Sequence, residues 1–212
     1  MTAASVPIKA PAAVPAGQVS RRFEVLPQGL EGLVALRRQR LSDARGWLTR
    51  MFCALELAQV GWHSPVAQIN HTHTARRGTV RGMHYQVPPH AEAKLVSCLR
   101  GAVWDVAVDL RQGSPTFLQY RAVELSADNL TALLIPPGFA HGFQALTDEA
   151  ELLYLHSAAH APGFEAGLHP QDPALAVDWP LPVDNLSDRD RSHHWLDGAA
   201  FCGIPAVGTK AL

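Results

Sequence analysis

A chain of 212 residues is long enough for one domain with a real core, and 47% hydrophobic against 17% charged residues is ordinary for a globular protein. The 18 basic residues nearly balance the 19 acidic ones, a net charge of −1 that excludes a general basic field for nucleic acid and leaves local arginines to hold any small anion. No apolar run approaches the ~20 residues of a membrane span, and Cys53, Cys98 and Cys202 lack disulfide-framework or metal-type spacing, which fits a reducing cytoplasm.

Residues 1–20 are biased to Ala, Pro and Val and lack the basic start and apolar core of a signal peptide. They read as a flexible tail ahead of a single domain over 21–212. Leu30–Arg40 is compatible with a loop or a short strand. Between about residue 47 and residue 157, short apolar runs alternate with turn signals. Trp104, Val106, Val108 and Leu110 alternate with Val103, Asp105, Ala107 and Asp109, which is strand periodicity. GSPT at Gly113–Thr116 is a turn, a strand follows over Tyr120–Leu125, and LSADN at Leu125–Asn129 turns again. A strand over Leu130–Ile135 ends at the PPG break, Pro136–Gly138, and strands over Gly142–Leu146 and Glu151–Ser157 complete the series. Short strands at this spacing predict an all-β antiparallel sandwich or jelly roll. From Ala161 the chain is rich in Pro and Asp and is expected to wrap the barrel with loops and one or two short helices.

The stretch NHTHTARRGTVRGMHYQ, Asn70–Gln86, concentrates three histidines and three arginines. Cupin-type jelly rolls often hold a metal through HxH, a glutamate a few residues later, and a histidine closing PxGxxH. His71-Thr72-His73 and Pro136–His141 resemble the two ends of that pattern. The carboxylate is absent, and Arg76 and Arg77 stand where it would be. Two cations beside a divalent ion oppose binding, so His71 and His73 are read as turn or surface polar residues, and Arg76 and Arg77 as solvated turn charges.

The chain resembles the dTDP-4-dehydrorhamnose 3,5-epimerases, metal-independent cupin-like jelly rolls of nucleotide-sugar metabolism. The resemblance spans about Phe23 to Asp190. It is carried by DARG (Asp43–Gly46), QIN (Gln68–Asn70), RGMHYQ (Arg81–Gln86), KLV (Lys94–Val96), WDVAVDLRQGSPTF (Trp104–Phe117), LSADN, IPPGFAHGF (Ile135–Phe143), DWP (Asp178–Pro180) and LSDRD (Leu186–Asp190). It implies a nucleotide-diphosphate 4-keto sugar as substrate, no cofactor, no metal and a homodimer. A proton beside the ketone is removed and one returned on the opposite face, which needs a base titrating near neutrality. By resemblance that base is His84, oriented by Asp190. Lys94 matches the charge that holds the enolate, and Tyr154 matches the acid. His141 matches a further pocket histidine, which Asp105 is placed to support. Arg45 and Arg81 match anion-binding positions, with Gln68, Asn70, Glu165 and Arg189 as further ligand contacts; a guanidinium suits phosphate oxygens. Plainer roles stand beside these. His84 suits a core position, Asp190 a helix cap, Lys94 the surface, Tyr154 barrel packing, and Asp109 with Arg111 a turn pair. Strict alternation would also put Arg81 and His84 on opposite faces of one strand. A bulge, a bend or a second subunit would resolve that.

Two positions depart from the family pattern. Arg50 replaces a nucleotide-contacting glutamate, and Ala159-His160 replaces a tyrosine pair before Pro162. Both fall in the nucleotide pocket that the resemblance implies, so the nucleotide and the number of inverted carbons stay open, and a ketoisomerase remains a neighbouring reading.

Overall fold

The computed structural model describes residues 22–196 and 201–205, so the expected tail at 1–20 lies outside the described residues. The strands are β1 (Phe23–Pro27), β2 (Val34–Arg38), β3 (Arg40–Asp43), β4 (Gly46–Thr49), β5 (Gln68–Thr74), β6 (Val80–Gln86), β7 (Lys94–Arg100), β8 (Ala102–Asp109), β9 (Tyr120–Ser126), β10 (Thr131–Ile135), β11 (Phe139–Ala145), β12 (Ala150–His156) and β13 (Glu165–Gly167). Two four-residue helices accompany them, α1 (Ala54–Leu57) and α2 (Asp188–Arg191). No helix among the described residues is long and apolar enough to cross a membrane.

Six strands in the order β1-β2-β10-β7-β12-β5 form one antiparallel sheet, and five in the order β13-β6-β11-β8-β9 form the other. The antiparallel sandwich is therefore the one the strand spacing predicts. Leu30–Arg40 resolves as a turn followed by β2, and β11 starts at Phe139, three residues earlier than the expected Gly142.

The sheets stack through alternate side chains. Val96, Val103, Ala107, Leu125, Leu133, Phe143, Leu152 and Tyr154 meet between them. Each fully buried aliphatic side chain there contributes about 1.5–3 kcal/mol. The outer faces are covered as well. The segment around α1 packs Leu57 and Trp62 onto Leu36, Leu95, Leu134 and Leu155. The Pro- and Asp-rich C-terminal segment packs Leu168, Leu175 and Ile204 onto Met83, Tyr85, Val106 and Val108. This second cover explains why β8 reads as nearly continuous apolar sequence: both of its faces are buried.

The predicted turn pair is present. Asp109 accepts hydrogen bonds from Arg111 (2.8 Å), Ser114 (2.6 Å) and Thr116 (2.7 Å), tying the GSPT turn to the end of β8. Burial alone would raise this carboxyl, but the three donors outweigh it and hold it down at about 2.

Candidate active site

Residues of both sheets line a cavity of about 330 Å³. The six-stranded sheet supplies it in cross-strand rows. Lys94, His156 and Gln68 are register partners, and so are Val96, Tyr154 and Asn70. The facing sheet supplies His84 opposite His141, and Arg81 opposite Phe143.

That last pairing answers the alternation problem. His141 to Phe143 is two steps along β11, but His84 to Arg81 is three along β6. The extra residue is a bulge, and it returns Arg81 and His84 to the same face. Gly82 makes the bulge possible. Its φ of +124° suits glycine, and a Cβ there would stand 2.5 Å from the Gly142 Cα.

His84 donates from Nε2 to Asp190 Oδ1 at 2.7 Å. Asp190 is brought there by α2, and the sequence of its turn explains how. Ser187 caps the helix by accepting the Asp190 backbone N–H, so the cap is Ser187 and the Asp190 carboxylate is free to point at His84. The Gly82 backbone N–H also donates to it, at 3.3 Å. Burial would raise Asp190, but His84, Gly82 and Ser187 outweigh it and hold the carboxyl below its usual range.

Across the cavity, Tyr154 is 9% exposed. Burial first, and the charge of Asp105 second, push its phenol well above the usual range, so it stays protonated. Asp105 sits beneath His141, 2.8 Å from its Nε2, and burial holds this carboxyl above its usual range against the pull of His141. Lys94, the one lysine among the described residues, is 8% exposed and not on the surface. Its Nζ lies 3.3 Å from Glu92, whose other oxygen accepts from His156 Nδ1 at 2.9 Å. Glu92 would be raised by burial, but His156 and Lys94 hold it low.

Gln68, Asn70, Arg81, His141 and Glu165 also line the cavity. Arg189 reaches it indirectly, by an ion pair to Glu165. Arg45 does not. It stands on the turn between β3 and β4 with its side chain 90% exposed and paired to Asp43. Among the described residues β3 and β4 form a two-stranded sheet of their own, paired with neither main sheet. Arg50 likewise turns to Glu56 on α1, at 2.7 Å. His71 and His73 are surface residues as expected, but in a strand and not a turn. They project from the face of β5 opposite Asn70 and Thr72 and pair with Glu151 and Glu149. His141 lies inside the cavity, so the HxH pair and the PxGxxH histidine do not converge.

Glu92, His156 and His160 line the cavity without having been singled out for it from sequence. His156 was findable, two residues past Tyr154 on the same strand face. His160 was noted only as a lost tyrosine, yet its backbone N–H donates to Gln68 and its ring bonds Glu165, each at 2.9 Å. Glu92 lies in an irregular loop and had no periodic signal. His193 touches the site from behind, its ring edge-on to that of His84. Burial and the charge of His84 hold it below the usual imidazole range.

Residues 27–197 match the family model described as dTDP-4-dehydrorhamnose 3,5-epimerase. A dTDP-4-dehydrorhamnose 3,5-epimerase of Pseudomonas aeruginosa is 49% identical over 152 residues, 70% of this chain and 82% of the relative. A dTDP-4-dehydrorhamnose 3-epimerase of Streptomyces niveus is 39% identical over 179 residues, 84% of this chain and 86% of the relative. The crystal structure of dTDP-4-dehydrorhamnose 3,5-epimerase from Bacillus anthracis with TDP and PPi bound superposes with a TM-score of 0.79 at 36% identity, covering 82% of this chain and 99% of that one.

Proposed function

This chain belongs to the dTDP-4-dehydrorhamnose 3,5-epimerase family and is an isomerase of the dTDP-sugar epimerase class; from that premise we propose that it inverts C3 and C5 of dTDP-4-dehydro-6-deoxyglucose by enolisation. One observation carries the reading. A carboxylate-backed histidine stands on one sheet and a phenol held protonated stands on the other, facing each other across one cavity. Groups on opposite sheets reach opposite faces of a sugar ring, which is what inversion requires.

In this mechanism His84 takes the proton beside the C4 ketone, and Asp190 stabilises the imidazolium that forms. Charge passes to the ketone oxygen, where Lys94 neutralises the enolate. Tyr154 delivers a proton to the other face. The cycle repeats at the second carbon beside the ketone. Arg81 holds the diphosphate, with Arg189 acting through Glu165 and with Gln68 and Asn70 against the sugar nucleotide. His141, backed by Asp105, completes the wall behind Tyr154, their rings 6.0 Å apart.

Arg45 is assigned to the cavity of a partner subunit in a homodimer. Its hairpin supports this, since Leu41, Trp47 and Leu48 on β3 and β4 are 41%, 58% and 62% exposed. A monomer by light scattering, unchanged by Trp47→Glu, would remove this part of the reading. Cys53, Cys98 and Cys202, far apart in the sequence and without metal-type or disulfide-framework spacing, suit a reducing cytoplasm. Inversion at C3 alone is the second reading, favoured by Ala159 and His160 in place of the tyrosine pair and by the 3-epimerase among the relatives.

The deciding experiment incubates EDTA-treated protein with dTDP-4-dehydro-6-deoxyglucose in D2O and follows the C3 and C5 protons by NMR. Washout of both is the expected result. Washout at C3 only selects the second reading, and none at either carbon with the sugar nucleotide bound refutes epimerisation of this substrate.

A further inference from the structure

Behind the proposed base lies an imidazole that the reaction does not use. His193 Nε2 is buried and, among the described residues, has no hydrogen-bond partner, a state that calls for an explanation. It is 3.6 Å from Asp190 Oδ1, too far to be bonded to it, while His84 Nε2 is 2.7 Å from the same oxygen. The two rings meet edge-on with centroids 5.5 Å apart. One donor atom from each of His84, Asp190 and His193 lies within 4.8 Å of the other two. Their supports are firm. His84 is on β6, Gly167 of β13 is its register partner, and a Cβ on Gly167 would overlap the His193 ring.

We propose that His84, Asp190 and His193 form a binding site for a divalent cation of the zinc class, and that its occupation switches the enzyme off. Two imidazoles and a carboxylate are a donor set that such cations take, with further positions open to water. Ligand bonds of about 2.0–2.2 Å place tetrahedral donors roughly 3.4 Å apart, so side-chain shifts of about 1 Å close the triad. The switch rests on His84 being the base. A neutral imidazole has one lone pair. When Nε2 gives its lone pair to the cation, the Nε2 proton leaves to solvent and Nδ1 takes one up. Nδ1 is then an N–H, and no nitrogen remains to accept the sugar's proton. The cation also removes Asp190 from its role beside the imidazolium.

The test uses EDTA-stripped full-length protein and cobalt(II) as a spectroscopic probe. One equivalent should bind with visible d–d absorption, be displaced by zinc, and bind His193→Ala more weakly by at least the roughly tenfold that even an outer-shell partner is worth. His193→Asn, closer in size, should behave like His193→Ala, and thermal melts confirm that both are folded. Zinc should abolish deuterium washout in step with occupancy, and EDTA should restore it. No saturable cobalt uptake, or equal uptake in the His193 variants, overturns the site. Uptake that leaves washout untouched overturns the switch. If the stripped wild type shows no washout at all, the epimerase reading fails, and the cobalt spectrum still decides the site.

Discussion

Replacing Asp190 with Asn removes a charge and reverses a hydrogen bond. The residue is 3% exposed, and an amide that keeps its oxygen on the Gly82 N–H turns its NH2 toward His84 Nε2, which must then accept, so the ring proton moves to Nδ1 and the lone pair that takes the sugar's proton is blocked. What is lost is the anionic end of a 2.7 Å charge-assisted contact to the imidazole. That contact matters only once His84 carries the substrate's proton, so its loss falls on the transition state and not on substrate binding. The lost charge is worth about 1.5–3 kcal/mol, and the wrong tautomer adds to it, so the rate should fall by about 10²- to 10⁴-fold. The assay is the single-turnover rate of deuterium washout from dTDP-4-dehydro-6-deoxyglucose in metal-free buffer, with dTDP affinity measured alongside. Washout slowed within that range at unchanged dTDP affinity is expected. A rate within twofold of wild type, while His84→Ala is inactive, would refute the assignment of Asp190 as the group that stabilises the imidazolium.

Tyr154→Phe should separate exchange from inversion: His84 can return a deuteron to the face it came from, so washout continues while inverted product falls by about 10²–10⁴-fold. Undiminished product would move the acid to another residue. Gly82→Ala should cost at least about 3 kcal/mol, because the bulge needs a positive φ and has no room for a Cβ. Differential scanning calorimetry should show Tm lower by roughly 6–12 °C, with washout lost as the Arg81–His84 phase breaks. Asp109, held at about 2, is lowered relative to the unfolded chain, so it stabilises the fold in full above that chain's value and the contribution is lost as pH falls through the folded value. Urea unfolding of Asp109→Asn should show a deficit on the order of 2 kcal/mol at pH 7 that shrinks as the pH falls from about 4 to about 2. A pH-independent deficit would show that the loss is one of packing.

The strands were legible because alternation and turn residues act locally. Trp104–Asp109, the GSPT turn and the LSADN turn each depend on neighbours a few residues away. The site was less so, because its parts depend on contacts across the sandwich. Alternation misplaces Arg81 relative to His84 because one bulge residue, set by the approach of Gly142, shifts the phase. Lys94 looks ambivalent in sequence because its burial comes from Glu92 and the facing sheet. Asp190 lies 106 residues from His84, and no periodicity links them. Arg45 reads as a site residue but stands exposed on the β3–β4 turn, away from its own chain's cavity, a position that only the proposed partner subunit would turn into a site.

That hairpin has a thermodynamic corollary. If Arg45 grips the diphosphate in a neighbour's cavity, subunit association and substrate affinity are reciprocally linked, each strengthening the other by the same factor. Dilution below the dimer's dissociation constant would then raise KM while leaving the His84–Asp190 geometry within each chain unchanged. Initial rates taken at a single low enzyme concentration would report a weaker ligand than the assembled protein binds, and saturating substrate would restore the dimer.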